Sequence, residues 1–503
     1  MRNLTALIVL LCLGLSAQAQ KRLSVTILHT NDTHGHLLPY SYPETFDPNE
    51  AIARLAVRRN IGGAARRASL VEQIRREKNR VVLVTDSGDM MDGSPFSTEY
   101  KGEADMAVMN AIGLDAQVPG NHEFNNTFEQ VQKLISMAKH PVVLANATRA
   151  GSGEPLAKPY IIKTVQGVRF GIFGLTTPSG QSYPGAVRDI RIEDPEAAAA
   201  KLVPILRSQC DIVIAVTHIG NREDQDLARK VPGIDIIVGG HSHSLLPKHQ
   251  LIPSSTTTPG SINGTLIVQA FQWSGVLGRL DIELTTNPSG KWVVSRGEGR
   301  LLPITESIPE HKGVKKIVDS YWVPIAPKFG KVICEAADDI AHKGDDFAEY
   351  HMVADAIRAE MGTEVHFENP GGVRSTLAKG PITYADLVNV DPFSNTVVTF
   401  RVSGRELKRI LLRAKPAVSG IRYRIENGVL TDAVVNGSPI DDSRIYTGST
   451  NSFFARSDAM RGAEAMVDTG SPRLDVLIRH LEKQKTVTPR YDGRRVLKGP
   501  DNE

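Results

Sequence analysis

Five short runs in this 503-residue sequence each lead into side chains that can bind metal or move protons. LSVTILHTNDTHGH places Asp32 and His34 just past the first run, VVLVTDSGD places Asp89 past the second, and QVPGNHE presents Asn121 and His122 in a turn. DIVIAVTH closes on His218, and IDIIVGGHSH on His241 and His243. One DxH triplet or one strand-end histidine is ordinary loop polarity; five such segments in succession point to a shared site. Imidazole nitrogen and carboxylate oxygen, without thiolate, suit zinc, manganese or a similar divalent ion such as cobalt or magnesium. Two ions need a bridging carboxylate, and Asp89 is central enough in the order to serve. A pair of ions about 4 Å apart clamps the attacking and leaving oxygens of an in-line displacement and lowers the pKa of bound water. Hydrolysis of a phosphate ester is the reaction this chemistry implies. Gly35, Gly88, Gly120, Gly239 and Gly240 flank the polar positions and predict tight turns with room for an anion.

Such residues act together only if the fold delivers them to one place. Residues 23–29, 80–84, 141–144, 169–175, 211–216 and 234–238 read as short β-branched strands. Between them AARRASLVEQIRREK, EADMAVMNAIG, TFEQVQKLISMA and PEAAAAKLVPILRS carry helical apolar spacing. This alternation predicts an α/β domain with much parallel pairing, and in open α/β sheets ligands collect outside the carboxyl ends of strands. Past His243, GTLIVQAFQ, GVLGRLDIEL and KWVVSR predict antiparallel strands joined by Gly- and Pro-rich turns. A boundary falls near residues 303–310, HKGVKKIVDSYWVPIAPKFG reads as a connecting helix, and a new α/β pattern begins near Lys331.

Length favours two folded domains. A hydrophobic content of 41% with 23% charged residues is globular, and no interior apolar run approaches the ~18 residues of a membrane span. A net charge of +3 points to neither a nucleic-acid polymer nor an anionic membrane as partner. The arginines of 58–80 interleave with apolar residues at helical spacing, which predicts a solvated helix face. Arg2, an apolar stretch over 4–15 and Ala17-Gln18-Ala19 read as a signal peptide, so export to the periplasm or the extracellular medium is expected, with Gln20 as the mature N-terminus. Cys210 and Cys334 are too few for a disulfide framework and read as two independent buried thiols. The expected division is a signal peptide at 1–19, a metal-binding domain at 20–304, a helical linker at 305–330 and a substrate domain at 331–503, in a monomer.

The order DxH, GD, GNHE, a strand-end TH and GGHSH resembles the calcineurin-like metallophosphoesterases. Together with ILHTNDTHGH, the downstream NPGGVRS and PITYADLVNVDPFSN resemble the two-domain bacterial 5'-nucleotidases, a family that includes UDP-sugar hydrolases and 2',3'-cyclic-nucleotide phosphodiesterases. The resemblance implies an N-terminal α/β/β/α metallophosphoesterase sandwich and a C-terminal 5'-nucleotidase-type α/β domain. It implies one metal held by Asp32, His34, Asp89 and His243, and another by Asp89, Asn121, His218 and His241. His122 would face the scissile phosphate rather than a metal, with His36 and Glu123 orienting their neighbours. The nucleotide would be bound by Asn369, Arg374 and Phe393, with Phe453 as second stacking aromatic and Asp458 after it. Water activated by the metals would attack phosphorus of a small-molecule nucleotide.

The sequence departs from the family at several places, among them the stretch DIAHKGDDFAEYHMVADAI, which lacks the arginines and the Asn-Leu-Gly-Asn turn of several relatives. GNHEF usually continues with an Asp that pairs with the histidine, and Asn125 stands there, an amide that can orient His122 but cannot raise its pKa as a carboxylate would. PFGN is replaced by PFSN, with Ser394 for glycine. The Gly-Gly-Asp-Gly-Tyr that follows the second aromatic is missing, and ARSDAM occupies its place. These changes leave a cyclic-nucleotide phosphodiesterase or a UDP-sugar hydrolase open as alternatives, and also an exported binding protein that has lost catalysis.

Overall fold

The computed structural model describes residues 20–498, apart from 43–50, 56, 255–257 and 345. The expected signal peptide lies outside the described residues. Among those residues no helix is long and apolar enough to cross a membrane.

Two sheets face each other in the N-terminal half. One runs in the order Trp292–Pro303, Val276–Thr286, Arg22–Thr30, Val81–Asp86, Ala116–Gln117; the other Gln250–Pro253, Gly264–Val268, Ile236–Val238, Ile212–His218, Val168–Thr176, Tyr160–Val165. Strand periodicity sorts each side chain to one of two environments. In Ile212–His218, Ile212, Ile214 and Val216 enter the core between the sheets, while Val213 and Ala215 face the helix Pro195–Gln209 on the outside. In Arg22–Thr30, Val25 and Ile27 point inward and Leu28 outward, against Ala64–Arg75 and Glu103–Ile112. The result is an α/β/β/α sandwich. Each fully buried Ile, Val or Leu contributes about 1.5–3 kcal/mol to holding it.

Arg22–Thr30 runs parallel to Val81–Asp86, and Ile212–His218 parallel to both Val168–Thr176 and Ile236–Val238. Parallel pairing gathers the carboxyl ends of the central strands at the same edge of each sheet. Two strand expectations need correction. Residues 141–144 contribute only isolated bridges, from Val142 to Gln117 and from Val143 to Lys158, because the chain crosses there between the two sheets' edges instead of running along either. Gly264–Val268 is antiparallel to Gln250–Pro253 but parallel to Ile236–Val238, so it extends the parallel region. The arginine-rich helix also differs from a solvated face: Arg66 and Arg67 are buried, Arg67 donating to Ser274 Oγ and Arg66 to Asn60.

The helix Lys312–Phe329 lies on the outer helical layer through Val314 and Val318, and its Phe329 touches Val388 of the C-terminal half. The C-terminal half is built on a five-stranded sheet, ordered Ala417–Ser419, Val365–Glu368, Ile445–Asn451, Thr396–Ser403, Glu464–Pro472, with smaller sheets beside it. Helices Ala348–Met361, Gly404–Ala414 and Arg473–Gln484 cover it. Cys210 and Cys334 are free, and each is buried in a different core.

Candidate active site

The loops that leave the parallel strands bring Asp32, His34 and His243 into one cluster, and Asp89, His218 and His241 into another. A third grouping, His34, Asp89 and His122, joins them. Asp89 is the hub: its Oδ2 lies 3.1 Å from His218 Nε2, 3.8 Å from His122 Nε2 and 3.9 Å from His34 Nε2. Asp32 Oδ1 is 3.2 Å from His243 Nε2. The backbone is left-handed at Asp32, His34, Asp89, His241 and His243, with φ between 47° and 76°. Non-glycine residues held there cost about 1–3 kcal/mol each and persist where the surroundings dictate them, as functional sites do.

The donors fit divalent cations for reasons internal to this structure. His34 Nδ1 bonds the Met91 carbonyl at 3.0 Å, His218 Nδ1 the Ser87 carbonyl at 2.6 Å, and His243 Nδ1 the Gln272 side-chain oxygen. Each contact puts the ring proton on Nδ1 and turns a bare Nε2 lone pair into the crevice. His34 Nε2 and His243 Nε2 then face each other at 3.1 Å, an arrangement that a cation resolves. Asn121 Oδ1 is buried without a hydrogen-bond partner, while Asn121 Nδ2 donates to Tyr183 Oη at 3.3 Å. Burial opposes protonation of His218, but the adjacent Asp89 and Asp32 outweigh it and raise the imidazole to about 10.

Three of the flanking glycines stand where a side chain would collide with close neighbours. A Cβ at Gly120 would sit 2.2 Å from Asp89 Oδ1, one at Gly240 2.7 Å from Ser87 O and 2.9 Å from His218 Nδ1, and one at Gly239 2.2 Å from Asp224 Oδ2. Glu123 fixes the Asp89 loop by accepting the backbone N–H groups of Asp89, Met90 and Gly120 at 3.0, 2.7 and 2.6 Å. His36 hydrogen-bonds the His34 carbonyl and stacks on Trp273 with ring centroids 4.4 Å apart.

The sequence missed the partner of His122. The Asn125 side chain is not hydrogen-bonded to the imidazole; it donates to Asp92, and Asp92 Oδ2 also takes His122 Nδ1, at 3.1 Å. The carboxylate expected at position 125 is therefore supplied by Asp92, from the loop that follows Asp89. Burial lowers the His122 pKa, but Asp89 and Asp92 more than reverse it, and the net direction is up. Nothing in MMDGSP marks this Asp as different from a loop residue, since its role depends on two loops meeting.

Of the five residues expected of the C-terminal half, Arg374 and Phe393 lie beside residues of the N-terminal crevice. Arg374 Nη2 lies 3.2 Å from His34 Nε2, and the Phe393 ring lies 6.0 Å from the His122 ring, inclined 21°. The Asn369 side chain is engaged within its own surroundings, by Asn451 and the Pro370 carbonyl. Phe453 is 46% exposed. Asp458 is paired with Arg461 and Arg413 on the surface, and no hydrogen bond or ion pair among the described residues links it to Arg374 or Phe393.

An α/β/β/α sandwich whose strand ends converge on carboxylates and imidazoles, with a second domain's arginine reaching over them, defines a metal-dependent phosphoester hydrolase. The comparisons narrow this class. Residues 25–245 match the calcineurin-like phosphoesterase family model and residues 337–463 the 5'-nucleotidase C-terminal domain model, more than half of the chain between them. A 5'-nucleotidase of Vibrio cholerae is 28% identical, over 93% of this chain and 92% of that one. Protein UshA of Escherichia coli is 27% identical over 93% of each. The crystal structure of a 5'-nucleotidase precursor from Thermus thermophilus superimposes with a TM-score of 0.83, at 28% identity, over 95% of this chain and all of that one. The chain belongs to the two-domain 5'-nucleotidase family of calcineurin-like metallophosphoesterases.

Proposed function

We propose that this chain is an exported hydrolase that removes phosphate from nucleotides at a two-metal centre. The observation that supports it most is the convergence of Arg374 and Phe393, from the C-terminal half, on the crevice of Asp89 and His122. Asp32, His34, Asp89 and His243 would hold one divalent ion, and Asp89, Asn121, His218 and His241 the other. Bound there, such ions neutralise phosphoryl charge and lower the pKa of water. The chain's own groups do the rest. The Arg374 fork donates two parallel hydrogen bonds to phosphoryl oxygens. His122, held by Asp92, stabilises charge on the phosphate or protonates the departing oxygen. Phe393 offers a flat face to the base. The division into 20–304, 305–330 and 331–503, the signal peptide at 1–19 and a periplasmic or extracellular, monomeric enzyme belong to the same reading.

A second reading keeps the chemistry and changes the substrate to a 2',3'-cyclic nucleotide or a UDP-sugar. It is favoured by the exposure of Phe453 and the engagement of Asp458 elsewhere, which leave base recognition to one aromatic. Phosphate release from AMP, 2',3'-cyclic AMP and UDP-glucose by the metal-loaded enzyme separates the two. Turnover of AMP above the others supports the first reading. Turnover of an aryl phosphodiester but of none of the three would refute both and leave only the reaction class.

A further inference from the structure

The substrate-facing loops of the C-terminal half meet on one buried side chain. Arg473 is fully buried, at 0% exposure, and its guanidinium joins two segments. Nε and Nη2 bond the Asp391 carboxylate, Nη1 bonds Glu368, and Nη2 donates to the Gly372 carbonyl at 2.7 Å. Its backbone N–H donates to Asn395 O at 2.8 Å. Gly372 lies in the NPGGVR turn two residues before Arg374. Asp391 and Asn395 bracket Phe393, whose backbone N–H faces the Asp391 carboxyl.

The same network reaches a third segment. Glu368 Oε2 accepts from Asn451 Nδ2 at 3.0 Å, and Asn451 Nδ2 also meets Asn369 Oδ1 at 2.8 Å. Asn451 Oδ1 caps the short helix Ser452–Ala455 through Phe454 N, which fixes the turn that displays Phe453. An arginine as the first residue of the helix Arg473–Gln484 is electrostatically misplaced against the positive end of the helix dipole. Two buried carboxylates offset it, which is more than a surface helix start requires.

We propose that Arg473 is a positioning residue for the nucleotide: it sets the spacing between the Arg374 turn and the Phe393 turn, and through Glu368 and Asn451 it sets the Phe453 turn. The inference rests on the reading that these segments form the substrate half-site. Deleting the guanidinium would leave Asp391 and Glu368 facing each other in the interior, so Arg473→Met is expected to unfold the domain. Arg473→Lys keeps the charge but, as a point donor, cannot span Asp391, Glu368 and Gly372 O together. Asp391→Asn keeps the shape and weakens one arm.

The test uses metal-loaded wild type, Arg473→Lys and Asp391→Asn, with AMP turnover and backbone hydrogen exchange as readouts. The expected result for both variants is unchanged metal content, a KM for AMP raised about tenfold or more, and kcat within about threefold of wild type. Exchange at 370–374, 392–395 and 451–455 should be faster by about tenfold or more, with 332–336 unchanged. An unchanged KM in folded Arg473→Lys overturns the proposal. So does faster exchange spread evenly over the C-terminal half with kcat and KM both impaired, because that is the signature of a merely structural residue. If wild type hydrolyses no nucleotide, the proposed function fails separately, and the segmental exchange pattern alone decides whether Arg473 positions these loops.

Discussion

Asp92 is the residue whose removal tests the site most sharply, because no ion is asked to bind to it. Asp92 and His122 are nearly buried, with 11% and 6% of their side chains exposed, and the ring nitrogen lies 3.1 Å from the carboxylate. A hydrogen bond to a charged group in such a place contributes about 1.5–3 kcal/mol. At 1.36 kcal/mol per decade, its loss from the transition state lowers kcat/KM about 10- to 150-fold. Asp92→Ala should fall near the top of that range and Asp92→Asn near the bottom, since an amide oxygen can still accept from Nδ1. Asn125 donates to the same carboxylate, so the exchanged pair Asp92→Asn with Asn125→Asp keeps a bond between positions 92 and 125. That double variant should recover about tenfold over Asp92→Ala, whereas Asn125→Asp alone sets two carboxylates together and should lose activity. The assay is initial-rate phosphate release from metal-loaded protein, with metal content and melting temperature measured alongside. Asp92→Ala with kcat/KM within about twofold of wild type, and with metal and melting unchanged, would refute the reasoning.

Other outcomes follow from single contacts. Arg374→Ala should raise KM for a phosphate substrate about 10- to 100-fold with metal content intact, and Arg374→Lys should recover little because one ammonium cannot make a parallel pair of bonds; full recovery by lysine would count against the bidentate role. Burial raises the Asp105 carboxyl to about 8, and neither of its oxygens has a hydrogen-bond partner. A folded pKa above the unfolded value of about 3.9 means that its contribution to stability is whole below about pH 4 and is lost as pH rises through about 8. Asp105→Asn should therefore melt higher than wild type at about pH 9 and gain little at about pH 5; an equal shift at both pH values would contradict the assignment.

The parts of this molecule that follow from local pattern were legible. Runs such as IVIAVTH, with alternate residues buried on two faces, announce strands whose ends carry chemistry, and the helices between them carry their own period. Pairing partners were not legible. Gly264–Val268 looks like any antiparallel strand until its parallel neighbour Ile236–Val238 is known, and the bridges of 141–144 depend on two sheets' edges. Asp32, His34, Asp89, His218, His241 and His243, which the fold gathers, lay in motifs whose spacing could be read, whereas Asp92 and Arg473 make their contacts across loops far apart in sequence. Arg473 did leave one trace, a cation opening a helix that has no side-chain cap. The burial of Arg66 and Arg67 left none, since helical spacing does not tell which face the next layer covers.

The most direct test of the two-metal account is one titration. The chain, stripped with chelator, is reloaded with manganese, zinc, cobalt or magnesium while bound metal and phosphate release from AMP and 2',3'-cyclic AMP are followed, with Asp89→Ala and His122→Ala beside it. The account predicts that turnover returns as about two ions bind per chain, that Asp89→Ala loses both metal and activity, and that His122→Ala keeps the metal and loses activity. Turnover by the stripped chain, or full activity in Asp89→Ala, would contradict it.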